Sequence, residues 1–475
     1  MAFVNYVQDR LKTLKPTLDF NVKRDDPIRL FLSLKPRQWG YFLVGFFAWS
    51  WDAFDFHSVT ITYAELSTAF GRTATEISVG VTLVLLFRPL GAAIFGLAAD
   101  RYGRKWPFII NNILLVVFEL ATGFCYTYQQ FLAVRSLFGF AMGGMYGNAA
   151  ATALEDVPES AKGLMSGIFQ SGFPFGYLLA VVFWKVFDEQ SRYGWRVLFW
   201  FGAVPPIFLI IARLFMCETD TYQDRSPQRG STPSFYDVLE DIKLALKRHW
   251  IRLSYLSLLM AGFSFMSHGT QDLYALMLRN KYGFDSSHIT LIQVTANIGA
   301  FIGGTLAGYC SQIFGRRFTI DVACIFGGAF LYAYTFSSGS GLYAAVFFEQ
   351  FCVQGAFGVV PIHLIELSPA AFRTFVVGTS YNLGILIASA SNSIETAIGE
   401  RYPLPSVDGT AIYDYSLVIC IFAAWVFAYV ILVTSLGPES KGVTLRKDDD
   451  DEDFEMSDTV SGPGAMENGT LTRTL

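Results

Sequence analysis

Twelve stretches of this chain are apolar enough and long enough to cross a lipid bilayer. They lie near 38–62, 77–99, 107–126, 129–151, 162–186, 195–216, 251–278, 288–312, 318–337, 341–364, 373–397 and 413–436. A spanning helix needs about 20 predominantly apolar residues, and it must satisfy its backbone internally because no water is there to do so. Composition agrees. Of 475 residues, 52% are hydrophobic and 16% are charged, against about 25% charged in an ordinary soluble domain. The predicted fold class is an all-α membrane protein with twelve transmembrane helices.

Lys and Arg in the connecting segments predict the orientation. Residues 1–37 carry Arg10, Lys12, Lys15, Lys23, Arg24, Arg29, Lys35 and Arg37. Basic residues recur at Arg101, Arg104 and Lys105, at Arg225, Arg229, Lys243, Lys247 and Arg248, and at Arg316 and Arg317. The alternation suits an even number of spans, with both termini cytoplasmic in a multi-pass protein of the plasma membrane. No signal peptide precedes the first span, which is expected to direct insertion itself. The organisation read from these features is a cytoplasmic segment 1–37, a helical half 38–216, a cytoplasmic linker 217–250, a second helical half 251–436 and a tail 437–475. The tail is acidic, with DDDDED at 448–453, and is expected to be solvated and disordered. Its sequon at Asn468 is discounted on a cytoplasmic tail. The six cysteines are scattered, and no pair has metal-ligand spacing.

The halves echo each other. GLAADRYGRK at 96–105 aligns with GYCSQIFGRR at 308–317, and Glu155, Pro158 and Lys162 align with Glu366, Pro369 and Arg373 at nearly the same offset. Repeated halves with a site at their interface are a transporter architecture. The loop with Asp100, Arg101, Arg104 and Lys105 resembles the signature loop of the major facilitator superfamily, and Arg316 and Arg317 belong to a degenerate copy with Gln312 in place of Asp100. Pro438-Glu439-Ser440 is similar to a further motif of that superfamily. The resemblance implies two pseudo-symmetric six-helix bundles that rock around a central cavity. Glycine allows close helix approach and Asp100 can sit at a helix N-terminus or pair with Arg, so the loop residues are read as a conformational latch. Plain positive-inside charge is the alternative. Glycine pairs at four-residue spacing, Gly139/Gly143, Gly163/Gly167, Gly172/Gly176 and Gly304/Gly308, are read as helix-packing positions.

Ionisable groups at membrane depth cost several kcal/mol unless they face water or a partner. The densest group is SFMSHGTQDLY at 264–274. Ser264, His268 and Asp272 share one helical face, with Ser267 and Gln271 beside it and Thr270 more oblique. The His268–Asp272 spacing predicts coupled protonation in a buried pair; a structural hydrogen-bond network is the alternative. This stretch resembles the signature of the fungal Jen-type carboxylate:proton symporters, in the sialate:proton symporter group, which runs Asn-x-x-Ser/Thr-His-x-Ser/Thr-Gln-Asp-x-x-x-Thr. Ser267, His268, Thr270, Gln271 and Asp272 match. Ser264 replaces the Asn and Leu276 the closing Thr.

The first span holds Asp52, Asp55 and His57, and the two acids suit either a proton-linked site or a structural pairing with a basic residue. Arg88, inside the second span, calls for an anion. A substrate carboxylate satisfies that need, as does a standing bridge to Asp52, Asp55 or Glu119. The resemblance implies that an Arg in this span is important for transport. Glu119 and Glu349 are read as structural, with Arg135 near the cytoplasmic or middle part of the fourth span as a partner for one of them. The resemblance further implies an aromatic from the fifth span, among Phe169, Phe173 and Phe175 beside Gln170, and an amide from the eleventh, beside Tyr381. Asn382 stands where Gln is usual, which is expected to widen the cavity.

The expected function is proton-coupled symport of small monocarboxylates such as lactate and pyruvate. A proton loads onto His268/Asp272, the carboxylate binds Arg88 with Gln271 and hydroxyls orienting it, and the bundles rock. The partners expected are the carboxylate, protons and the bilayer, with no nucleic acid and with the monomer as working unit. No cofactor or metal is expected beyond protons as coupling ion. A dicarboxylate carrier for succinate or malate and a non-transporting carboxylate sensor are the alternatives. An enzyme is not expected, because the chain has no metal-ligand cluster or nucleophile–base motif.

Overall fold

The computed structural model describes residues 2–14, 16, 26–190, 192–224, 235–407, 410–439 and 441. Lys15, Lys23, Arg24, Arg225, Arg229, Ser440, the acidic run 448–453 and Asn468 lie outside the described residues. Among those described, nine helices are long and apolar enough to cross a membrane: Glu76–Tyr102, Lys105–Gly123, Glu159–Phe187, Arg196–Phe215, Ser287–Phe314, Arg316–Phe336, Ser340–Leu367, Ala370–Gly399 and Ser416–Leu436. The first, fourth and seventh spans complete the set. Pro36–Ile61 and Phe235–Gln271 are less apolar because they carry Asp52, Asp55, Ser264 and His268, and the fourth is broken into Tyr128–Gly143 and Met145–Leu154.

Several spans are interrupted, and proline explains two of the breaks. Pro174 has no N–H for the carbonyl of Gln170, and the fifth span breaks at Ser171 between Lys162–Gln170 and Gly172–Gln190. The sixth span breaks at Ala203, where Pro206 frees the carbonyl of Gly202. The Trp51 indole N–H donates to that carbonyl at 2.6 Å. In the tenth span, Pro361 perturbs the helix ladder, and Ser166 of the fifth span inserts beside it. Ser166 Oγ donates to Gly358 O (2.9 Å) and accepts from the Ile362 N–H (3.1 Å).

Other boundaries differ from the sequence reading. The seventh span's helix begins at Phe235, inside the expected linker, and bends at His249. It ends at Gln271, and a separate helix, Tyr274–Tyr282, follows. The twelfth span starts at Ser416 because an unforeseen antiparallel hairpin, β1 Pro403–Val407 and β2 Thr410–Tyr413, precedes it. The N-terminal segment contains the helices Ala2–Thr13 and Pro27–Leu32.

The packing repeats with the sequence. In the first half the first span packs on the fifth and the second on the fourth; in the second half the seventh packs on the eleventh and the eighth on the tenth. The halves meet where the second span lies on the eleventh and the fifth on the eighth, the same contact exchanged by the pseudo-two-fold. These contacts are backbone-close. A Cβ at Gly167 would lie 2.2 Å from Gly304 O, one at Gly308 2.5 Å from Gly163 O, and one at Gly96 2.6 Å from Phe375 Cα. Gly139 and Gly143 press against the backbone of Val84 and Arg88, and Gly176 against Ser50. All four glycine pairs thus sit at helix contacts.

Candidate functional site

At the end of the bundle that carries the basic loops, charges tie the halves together. Asp100 accepts from the N–H of Thr374 (3.0 Å) and Phe375 (2.9 Å), at the start of the eleventh span, while Arg104 holds it at 2.9 Å. An acid at a helix N-terminus meets unpaired amides and the positive end of the helix dipole. Arg104 also grips Glu155 with Nε and Nη2, and Glu155 lies 3.8 Å from Arg373 across the interface. The second half repeats the grip with Arg316 on Glu366 at 2.8 and 3.0 Å. Gln312, in the place of Asp100, accepts from Arg316 instead. Lys105 receives Glu218 on its backbone N–H and donates from Nζ to Leu214 O; Arg101 gives its carbonyl to the Tyr222 hydroxyl. Arg317 joins the twelfth span to the N-terminal helix, through Thr434 O, Ser435 O, Thr13 and Arg10 O.

Midway along the spans lies a buried polar centre in an aromatic wall. Arg88 is 2% exposed. Its Nε donates to Asn382 Oδ1 at 2.7 Å, from the second span to the eleventh. Asn382 Nδ2 donates to Gly143 O and Gly378 O. Asn382 thus ties Arg88 and the fourth span to the eleventh. Arg88 Nη2 has no hydrogen bond, and Asp52 stands 3.9 Å away with neither oxygen bonded among the described residues. Around them, Trp49 packs on Tyr146, Phe169, Phe173 and Tyr381, and Tyr146 stacks on Tyr381 at 3.5 Å. Gln170 is buried, and its Oε1 has no hydrogen-bond partner among the described residues.

A second centre lies toward the end remote from the basic loops. His268 Nδ1 is 3.1 Å from Asp272 Oδ2. The side chains keep 37% and 32% of their surface, so the pair is half-exposed rather than buried as expected. The reason is local: the helix stops at Gln271, which leaves Asp272 in the break before Tyr274. Gln271 Nε2 donates to Gln350 Oε1 (2.8 Å), and Thr270 turns its hydroxyl to Met266 O. Ser264 is buried and Ser267 half-buried. His57 packs on Tyr177 and on Phe173, which in turn touches Trp49 of the inner centre.

The structure thus divides the residues expected to bind substrate or carry the proton. Arg88, Asn382, Tyr381, Phe169 and Gln170 gather at the inner centre, and His268, Asp272, Gln271 and Ser267 at the outer one. Phe175 packs on Phe46 instead, apart from the Trp49 wall. Asp55, one helical turn beyond Asp52, is also near the buried pair of Glu119 and Arg135, which meet at 3.2 Å. Arg135 sits in the first turns of Tyr128–Gly143, in the part of the fourth span remote from the basic loops. Glu349 is buried, and neither oxygen is hydrogen-bonded among the described residues. Trp49 and Tyr146 were missed by the sequence reading. Trp49 precedes Asp52 by one helical turn and so shares its face, a signal that was legible; Tyr146 had none, because its role comes from contact with Tyr381.

Residues 39–389 match the family model of the Major Facilitator Superfamily. The chain is 36% identical over 453 residues to a Saccharomyces cerevisiae protein named carboxylic acid transporter protein homolog, covering 92% of this chain and 74% of that one. It is 25% identical over 366 residues to the sialic acid transporter NanX of Escherichia coli, covering 74% and 85%. Among solved structures, the proton:xylose symporter XylE bound to 6-bromo-6-deoxy-D-glucose superposes with a TM-score of 0.67 at 16% identity, covering 86% of this chain and 98% of XylE. That likeness is one of fold. With the repeated packing, the loop contacts between the halves and the polar signature of the seventh span, these matches establish that the chain belongs to the major facilitator superfamily, among the relatives of the fungal Jen-type transporters.

Proposed function

We propose that the chain carries small monocarboxylates such as lactate and pyruvate across the plasma membrane, each with one proton. One observation carries this reading: a buried guanidinium, Arg88, clamped by Asn382 across the two halves, with Nη2 unbonded inside an aromatic wall. A carboxylate is the anion that takes parallel hydrogen bonds from such a fork, and the wall suits a short apolar body. The name of the yeast relative, a carboxylic acid transporter homolog, supports the same class.

If the basic end faces the cytoplasm, as the charge distribution supports, this conformation is sealed inward and open outward. A proton arriving from outside meets the half-exposed His268–Asp272 pair first. Asp52 balances Arg88 while the site is empty, and the substrate carboxylate replaces it. One proton with one monocarboxylate makes the step electroneutral. Both termini then lie in the cytoplasm, and one chain contains the whole site.

The test is uptake of labelled lactate, pyruvate and succinate into cells lacking their own carriers, at two external pH values. Lactate and pyruvate uptake that rises as pH falls is the expected result. Uptake indifferent to pH removes the proton coupling, faster uptake of succinate removes the monocarboxylate assignment, and no uptake despite surface expression favours a sensor.

A further inference from the structure

Glu395 has no role in either centre as described, yet it borders the outer one. It lies on the outer part of the eleventh span, Ser391–Gly399, fully buried, and neither carboxyl oxygen has a hydrogen-bond partner among the described residues. The carboxyl is turned toward the seventh span. A Cβ at Gly269 would come within 2.9 Å of Glu395 Oε1 and 2.6 Å of the Phe422 ring. The bare backbone next to His268 is therefore what lets this acid reach the helix.

Among the described residues, the groups facing Glu395 are few. From the seventh span comes Asp272, three residues beyond Gly269 and paired to His268. From the ninth comes Tyr334, whose hydroxyl donates to Thr270 O. From the twelfth comes Phe422. The permanent cations Arg88 and Arg135 belong to the other half. Glu349 is equally unbonded, but its neighbours are Tyr274, Tyr334, Cys324 and Cys352.

A carboxylate buried without a donor costs several kcal/mol, and a second carboxylate nearby adds repulsion. One proton shared between the two acids removes both costs. We propose that Glu395 and Asp272 form a proton-sharing carboxyl pair, in which Asp272 receives the proton from the open side and Glu395 is its inner seat. In the transfer the O–H bond of Asp272 breaks as an O–H bond forms on Glu395, and Asp272 returns to a carboxylate beside His268. The inference rests on the proton-symport reading.

The experiment compares wild type, Glu395→Gln and Glu395→Asp in two assays: initial lactate uptake at two external pH values, and lactate–lactate exchange at equal pH on both sides. Wild-type uptake is expected to rise as pH falls. In E395Q the ratio of the two uptake rates is expected to drop to about one, because that carboxyl no longer binds a proton. Exchange should decline less than net uptake, and E395D should restore the pH dependence. A wild-type ratio retained by E395Q overturns the proposal and leaves the symport reading intact. A wild-type ratio of about one overturns that reading, and the proposal with it. Should E395Q not reach the surface, the wild-type protein is treated with dicyclohexylcarbodiimide, which modifies proton-bearing carboxyls in apolar surroundings. Modification of Glu395 that declines as pH rises, read by peptide mass spectrometry, supports the pair; an unmodified Glu395 overturns it.

Discussion

At the scale of single residues, the geometry around Arg88 separates charge from shape. Its Nε is committed to Asn382, and its free Nη2 faces Asp52 at a distance too long for a hydrogen bond. Lysine keeps the charge but offers neither the fork nor the Nε donor. Arg88→Lys is therefore expected to weaken apparent lactate affinity by roughly 10- to 100-fold, the equivalent of about 1.5–3 kcal/mol for hydrogen bonds to a charged group. The concentration dependence of uptake, normalised to surface protein, measures it; unchanged affinity removes Arg88 from the site. Much of this centre was legible in the sequence. A cation in a membrane helix demands an anion whatever the fold. That its standing partner is Asn382 was not legible, because the two residues lie on different spans and meet only when the halves close.

At the scale of elements, spans approach through glycine where no side chain intervenes. Gly167→Val places a branched side chain where even a Cβ meets backbone of the eighth span at 2.2 Å. The expected outcome is a fifth–eighth contact that no longer closes, with cysteines placed at the basic end becoming reactive to a membrane-impermeant reagent from that side. Unaltered protection contradicts the packing role. The cap at the other end has a charge dependence of its own. Asp414 accepts from the Ser416 N–H and lies 3.5 Å from Lys281. Burial pushes its carboxyl up, but Ser416 and Lys281 more than offset this and hold it below the ordinary carboxylate value. A depressed acid stabilises the folded state fully above its unfolded pKa, and that contribution disappears as pH falls through the folded one. Hydrogen exchange in β2 and in Tyr274–Tyr282 should therefore accelerate together in acid below the usual carboxylate range. Replacing Lys281 by Met should move that onset toward higher pH.

At the scale of the molecule, the ties between the halves gather at the basic end and at the depth of Arg88. Asp100 caps the eleventh span from the other half with two amide hydrogen bonds, and the second half has only Gln312 at the equivalent place. The seal is thus asymmetric, with the second–eleventh contact the more strongly held. Asp100→Asn keeps the shape but removes the charge. A shift of about 1–3 kcal/mol toward conformations open at the basic end is expected, the cost of weakening charge-assisted bonds. Distances between spin labels on Arg101 and Ala371 positions, measured in the membrane, should lengthen in a larger fraction of molecules. An unchanged distribution contradicts the latch.

Sequence alone determined the membrane class, the repeat, the signature loop and the polar face of the seventh span. Each follows from local rules: hydropathy over one helix length, spacing along one helix, or matching motifs. The tertiary structure decided which of the intramembrane charges belong together. It set Asp55 beside the Glu119–Arg135 pair, put Phe175 on Phe46 instead of the Trp49 wall, and opened the His268–Asp272 pair to the surface. It also brought Glu395 against Gly269. In a bundle of spans, the partner of a buried charge is fixed by how helices far apart in the chain rotate and lean on one another. One-dimensional spacing carries no record of that.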